Sequence, residues 1–118
     1  MKSYRDLIVL QKSMNWVTLV YSLTSKIPES EKFGLISQIR RSSVSIPSNI
    51  AKGYGRNYKK DYSRFLQIAR GSLFEFQIQI EIPINLSFIS REDCKEINDL
   101  SNEIEKMLNS LINKLSEN

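Results

Sequence analysis

The sequence predicts an all-α fold, an antiparallel up-down-up-down four-helix bundle, with residues 1–118 forming a single domain. Three observations lead there. Four segments carry apolar residues at three- and four-residue spacing, the signature of helices with one buried face. The joins between them are a few residues long, which forces sequential helices to lie antiparallel. The one run that alternates apolar and polar residues, Ile78 to Ile84, has no second segment to pair with, so it reads as helix.

The first helix runs from about Tyr4 to Lys26, with Leu7, Leu10, Met14, Val17 and Tyr21 as its core stripe. Pro28 ends it, because a residue preceding proline is pushed out of the α region. The second helix starts near Ser30, an N-cap, with Glu31 favoured in the first turn by the helix dipole. Ile36, Ile39, Ser43, Ile46 and Ile50 form its stripe, and Gly53-Tyr54-Gly55 reads as a C-terminal stop. Pro47 lies inside it; an interior proline costs about 3 kcal/mol and bends a helix. Because the stripe stays in phase through Ile50, one bent helix is expected.

The third helix begins between Asn57 and Asp61 and reaches about Ser87, with Tyr62, Leu66, Ala69, Leu73, Phe76 and Ile80 on its core face. Pro83 marks a kink or an early break. The fourth opens on Ser90-Arg91-Glu92-Asp93, which resembles a capping box, and carries Ile97, Leu100, Ile104, Met107, Leu111 and Leu115 inward.

Composition narrows the chemistry. The chain has no histidine, so the commonest general base and the commonest transition-metal ligand are missing, along with Ser-His and Cys-His nucleophile pairs. Its single cysteine, Cys94, allows no internal disulfide and no multi-cysteine metal site, and reads as a small apolar residue. No catalytic residue, cofactor or metal is expected. The longest apolar run, Leu7 to Leu10, is far too short for a membrane span and no signal peptide is visible, so a cytoplasmic protein without membrane contact is expected.

Charge is unevenly distributed. Residues 32–70 hold nine basic side chains against Asp61 alone, a net of +8, whereas residues 71–118 carry a net of −5. Arg56, Lys60 and Arg64 repeat every four residues and share a helix face. With Lys59, and with Arg40, Arg41 and Lys52 as lesser members, they form a candidate phosphate-binding stripe for RNA or DNA. The alternative is a solvated face partly paired to neighbouring acids. Antiparallel pairing about residues 55–58 sets Arg40 opposite Glu75 and Lys52 opposite Asp61, so Arg40 or Arg41 with Glu75 is expected to form an interhelical ion pair that fixes register. Gly53-Tyr54-Gly55-Arg56 lacks the strand and the Lys-Ser/Thr of a phosphate loop and reads as a turn. Ala69, Gly71 and Ser72 suggest close helix approach.

A second apolar stripe steps through Phe74, Ile78 and Ile82, and Val9, Trp16 and Val20 do likewise on the first helix. A lone bundle buries about one face per helix. Phe74, Ile78, Ile82 and Trp16 are therefore the candidate contacts of a homo-oligomer, with a wide core face as the alternative.

Several runs also resemble a known family. They are Glu31 to Leu35, Gln38-Ile39-Arg40-Arg41, Ser45 through Arg56, and Arg64 through Glu75, with Tyr4-Arg5-Asp6-Leu7 and Met107 through Ile112 at the ends. Together these resemble the bacterial four-helix-bundle proteins encoded in intervening sequences of large-subunit ribosomal RNA genes. The resemblance implies a homopentameric ring. It also implies kinship with the accessory variability protein of diversity-generating retroelements, whose members bind nucleic acid and a reverse transcriptase. The sequence departs from the family at Lys52, where Glu is usual, and at Ile82-Pro83-Ile84, where the helix usually continues. The expected function is a non-enzymatic oligomeric scaffold that binds nucleic acid, or a nucleic-acid enzyme, through a basic face. The alternative is an oligomeric scaffold that binds only protein partners.

Overall fold

The computed structural model describes residues 4–117. Among them every regular element is helical, and four long helices carry the fold: α1 (Tyr4–Thr24), α2 (Ser37–Tyr54), α3 (Lys59–Gln79) and, after the short helix α4 (Glu81–Asn85), α5 (Lys95–Leu115). Each long helix packs on two neighbours, α1 and α3 both lying against α2 and α5. That is the cyclic order of an up-down-up-down bundle. The body is 48 Å long, so the α2–α3 turn and the loop before α5 occupy opposite ends.

Helix α3 buries five of the six residues its periodicity marks, Tyr62 through Phe76, and the sixth, Ile80, is buried at its C-cap. Helix α2 is entered through a 3-10 turn, Glu29–Glu31, and a π turn, Lys32–Ile36, rather than from an N-cap at Ser30. It runs unbroken through Pro47. Helix α3 stops at Gln79, upstream of Pro83. Pro83 has no N–H to offer the carbonyl four residues back, so the chain turns at Ile80 and resumes as α4. The following loop is closed by the Pro83 carbonyl, which accepts the Phe88 N–H at 2.9 Å. The Ser90–Asp93 capping box is real: each residue's side chain accepts the other's backbone N–H at 3.0 Å.

Helix α1 corrects the expectation most. Leu7, Met14 and Tyr21 are exposed, while Val9, Trp16, Val20 and Leu23 are buried. The inward face is Asp6, Val9, Ser13, Trp16, Val20, Leu23 and Thr24. Three of those positions are polar, so the face reads as less hydrophobic than its neighbour. Each polar member has a partner inside. Ser13 donates to the Leu10 carbonyl at 2.8 Å, Thr24 donates to the Tyr21 carbonyl at 3.1 Å, and Tyr62 donates its phenol to the Asp6 carboxylate. Trp16, assigned above to the oligomer surface, is fully buried. Its indole N–H donates to the Ile97 carbonyl at 3.2 Å and its ring meets Phe76 edge-on at 4.6 Å. A large ring with one polar edge is worth most where both needs are met, and that is the core.

Glycine roles differ from the expectation as well. Gly55 adopts an ordinary right-handed conformation (φ −79°), so no left-handed cap ends α2. Gly53 is buried, and a Cβ there would lie 2.8 Å from the Tyr62 ring. It is the close-approach glycine of the α2–α3 pair, whereas Gly71 faces open space.

Candidate nucleic-acid interface

The seven basic residues of the candidate stripe separate into groups. Arg56, Lys59, Lys60 and Arg64 gather at the α2–α3 turn and are all exposed. Arg40 lies on α2 sixteen residues before Arg56, which is about 24 Å along a helix axis, so it belongs to the other half of the body. It is occupied there: its Nε donates to Thr24 Oγ1 at 2.8 Å, an Nη donates to the Tyr21 carbonyl at 3.3 Å, and the guanidinium covers the Tyr21 ring at 4.4 Å. The expected Arg40–Glu75 ion pair is therefore not formed. One residue along a helix is a rotation of about 100°, and that turns Arg40 toward α1. Arg41 faces the α2–α3 seam instead, sharing with Glu75 a polar groove of about 530 Å³ lined also by Ser42, Ser45 and Gln79, without pairing. Lys52 and Asp61 form no ion pair either, and Lys52 remains exposed on the last turn of α2.

The turn itself is tightly built. Gly55 N–H donates to the Ala51 carbonyl at 3.2 Å, Arg56 N–H to the Gly53 carbonyl at 3.0 Å, and Tyr62 N–H to the Tyr58 carbonyl at 3.0 Å. The guanidinium carbons of Arg56 and Arg64 lie 4.7 and 4.9 Å from the centre of the Phe65 ring. Cation–π contact of this kind holds a guanidinium by its flat face and leaves its N–H edge available to an anion. Lys59, Lys60 and Arg64 line an open cleft of about 830 Å³ with Ser63, Gln67, Leu115 and Ser116, in which Asp61 and Glu117 are the acids. Of the nine cations in residues 32–70, only Lys32 sits within ion-pair distance of a carboxylate among the described residues, Glu29 at 3.8 Å. The other ion pairs lie outside the block, including Lys12–Glu103 at 2.7 Å and Arg91–Glu81 at 2.9 Å.

Sequence reasoning missed two aromatic residues of this end. Phe65 is half-buried beneath the two arginines, and Tyr58 stands 72 % exposed in the turn. The signal was present, since Tyr58 is interleaved with Arg56 and Lys59.

Residues 5–110 match the 23S rRNA-intervening sequence protein family. The chain belongs to this family. A solved structure of a protein of unknown function from Bacteroides thetaiotaomicron, placed in the S23 ribosomal protein family, is similar at a TM-score of 0.84 and 31 % identity. The match covers 92 % of this chain and 98 % of that one. No curated protein matches the sequence. The all-α bundle is thus the fold of a family member. Among the described residues no helix is long and apolar enough to cross a membrane, and no group of three or more His, Cys, Asp or Glu could hold a metal ion.

The stripe expected on the third helix is exposed but divided by the break at Ile80, with Phe74 and Ile78 on α3 and Ile82 on α4. Phe74, Ile78 and Ile82 are 45, 72 and 45 % exposed in the single chain, and Leu86 continues their four-residue step.

Proposed function

We propose that this family member is a non-enzymatic oligomeric scaffold, a homopentameric ring, that binds nucleic acid through the basic end of each bundle. The observation that carries this reading is the group Arg56, Lys59, Lys60 and Arg64, gathered at the α2–α3 turn and the start of α3 without a carboxylate within ion-pair distance among the described residues. Cations that outnumber the acids beside them at one end of a body raise the local potential and attract polyanions. Assembly into a ring repeats the group in every subunit, so several weak phosphate contacts act together. Exposed Phe74 and Ile78 on α3, with Ile82 on α4, supply apolar surface for that assembly.

The competing scaffold, which binds only protein, would need the basic block neutralised internally, and the scarcity of ion pairs within it argues against that. A nucleic-acid enzyme such as a reverse transcriptase remains compatible as a further partner of the same face. The absence of histidine supports a role without chemistry of its own. Equilibrium binding to labelled RNA and DNA at low and moderate salt tests the proposal, with light scattering on the same sample for the mass. Binding that weakens steeply with salt, by a pentamer, is expected. No binding of either polymer at low salt would leave the protein-only scaffold as the better account.

A further inference from the structure

Resting on the nucleic-acid reading above, we infer that the basic end selects unpaired nucleotides, with Tyr58 as a stacking platform between cationic phosphate contacts. Tyr58 is the most exposed aromatic residue of this end among the described residues, at 72 %, and it follows Arg56 by two residues and precedes Lys59 and Lys60. Its backbone is extended (φ −114°, ψ 137°), just outside α3, while its carbonyl is tied to the helix by the Tyr62 N–H. The ring is thus carried at the first position before α3, on a backbone hydrogen-bonded into that helix. A large exposed aromatic costs solvation and gains nothing within the bundle, where the core is already filled by Trp16, Tyr62 and Phe76.

Chemistry identifies the ligand class. A positively charged surface with an exposed aromatic ring binds single strands, because every base has a π-face and phosphates flank it. In a duplex both faces of each base are already stacked, so the ring finds no partner there. Arg56 and Arg64, laid over Phe65 at 4.7 and 4.9 Å, are held ready beside it. Stacking does not distinguish ribose from deoxyribose, so unpaired RNA and unpaired DNA share this recognition.

The test compares wild type with Tyr58→Ala and Tyr58→Phe, by fluorescence anisotropy across a salt series. The probes are labelled oligouridylate, oligothymidylate and a mixed-sequence duplex. Tyr58→Ala is expected to weaken binding of both single strands about 5- to 150-fold, with duplex binding and the salt slopes unchanged, and Tyr58→Phe should keep wild-type affinity. Loss on only one strand type would point to recognition of the sugar and overturn shared base stacking. Unchanged single-strand binding in Tyr58→Ala, with wild type still binding salt-dependently, overturns the stacking inference and leaves the nucleic-acid reading intact. Wild type that binds none of the probes overturns both. The Tyr58 ring is mostly exposed, so its loss should leave the bundle folded, and matching circular dichroism spectra check this for each variant.

Discussion

Two glycines on adjacent helices should answer the same substitution with opposite signs. Replacing glycine by alanine inside a helix gains about 0.8–1 kcal/mol from reduced backbone freedom in the unfolded chain. At Gly71, where a Cβ would meet nothing within 4 Å, that gain stands alone. At Gly53 the new methyl would lie 2.8 Å from Tyr62 Cδ1, 3.1 Å from Phe65 Cβ and 3.2 Å from the Tyr62 carbonyl oxygen. The last two atoms belong to the α3 backbone and its first side-chain carbon, so they move only if the helix moves. Overpacking of this kind costs about 1–3 kcal/mol, and Gly53 lies in the last turn of α2, where the helical gain is smallest. We expect Gly71→Ala to raise stability by about 0.5–1 kcal/mol and Gly53→Ala to lower it by about 1–2 kcal/mol. Thermal midpoints should move in opposite directions by roughly 2–4 °C and 4–8 °C respectively. Differential scanning calorimetry at one fixed protein concentration reads both, since oligomer unfolding depends on concentration. A stabilised Gly53→Ala would refute the close α2–α3 approach that places Phe65 beneath Arg56 and Arg64.

Ile78→Asp should convert the oligomer to monomers by light scattering with an unchanged helical spectrum, since each buried isoleucine contributes about 1.5–3 kcal/mol to an interface; an unaltered mass removes Ile78 from the contact. Burial first, then the hydrogen bond and charge of Asp6, push the Tyr62 phenol above its ordinary range. The folded state therefore keeps this proton after the unfolded chain loses it, so stability is full below about pH 10 and falls above it by up to about 1.4 kcal/mol per pH unit. Tyr62→Phe should lower neutral-pH stability by about 1–3 kcal/mol and flatten the alkaline loss in urea titrations; parallel losses in both proteins would contradict this. Ser87 is held at φ 61°, a left-handed conformation that favours glycine, so Ser87→Gly should raise the urea midpoint by an equivalent of about 0.5–1 kcal/mol.

The faces of α2 and α3 were legible because buried positions there are mostly apolar and evenly spaced. Tyr62, Leu66, Ala69, Leu73, Phe76 and Ile80 leave one choice of rotation. Helix α1 offered two stripes about a third of a turn apart, and the true one is interrupted by Asp6, Ser13 and Thr24. Their partners, Tyr62, the Leu10 carbonyl and Arg40, are known only from the folded chain. Trp16 was misplaced for the same reason. Hairpin arithmetic placed Glu75 beside the Arg40–Arg41 pair, yet it could not choose between neighbours that point about 100° apart. Gly53 carried a stop signal in the sequence, but its function is the space it leaves for Tyr62. At the basic end the cations were evident from charge runs alone. The arrangement of Arg56 and Arg64 over Phe65 was not, since it depends on how the turn folds back onto α3.

Phosphate contact by Arg56, Lys60 and Arg64 would carry the proposed binding, and a salt titration of nucleic-acid binding measures that contact directly. The logarithm of the affinity falls with the logarithm of salt by about 0.9 per duplex phosphate neutralised and about 0.7 per single-strand phosphate. The triple variant Arg56→Ala/Lys60→Ala/Arg64→Ala should therefore bind more weakly with a slope reduced by about two to three for each subunit engaged. A triple variant that keeps the wild-type affinity and slope would contradict the account and place the contact surface elsewhere on the molecule.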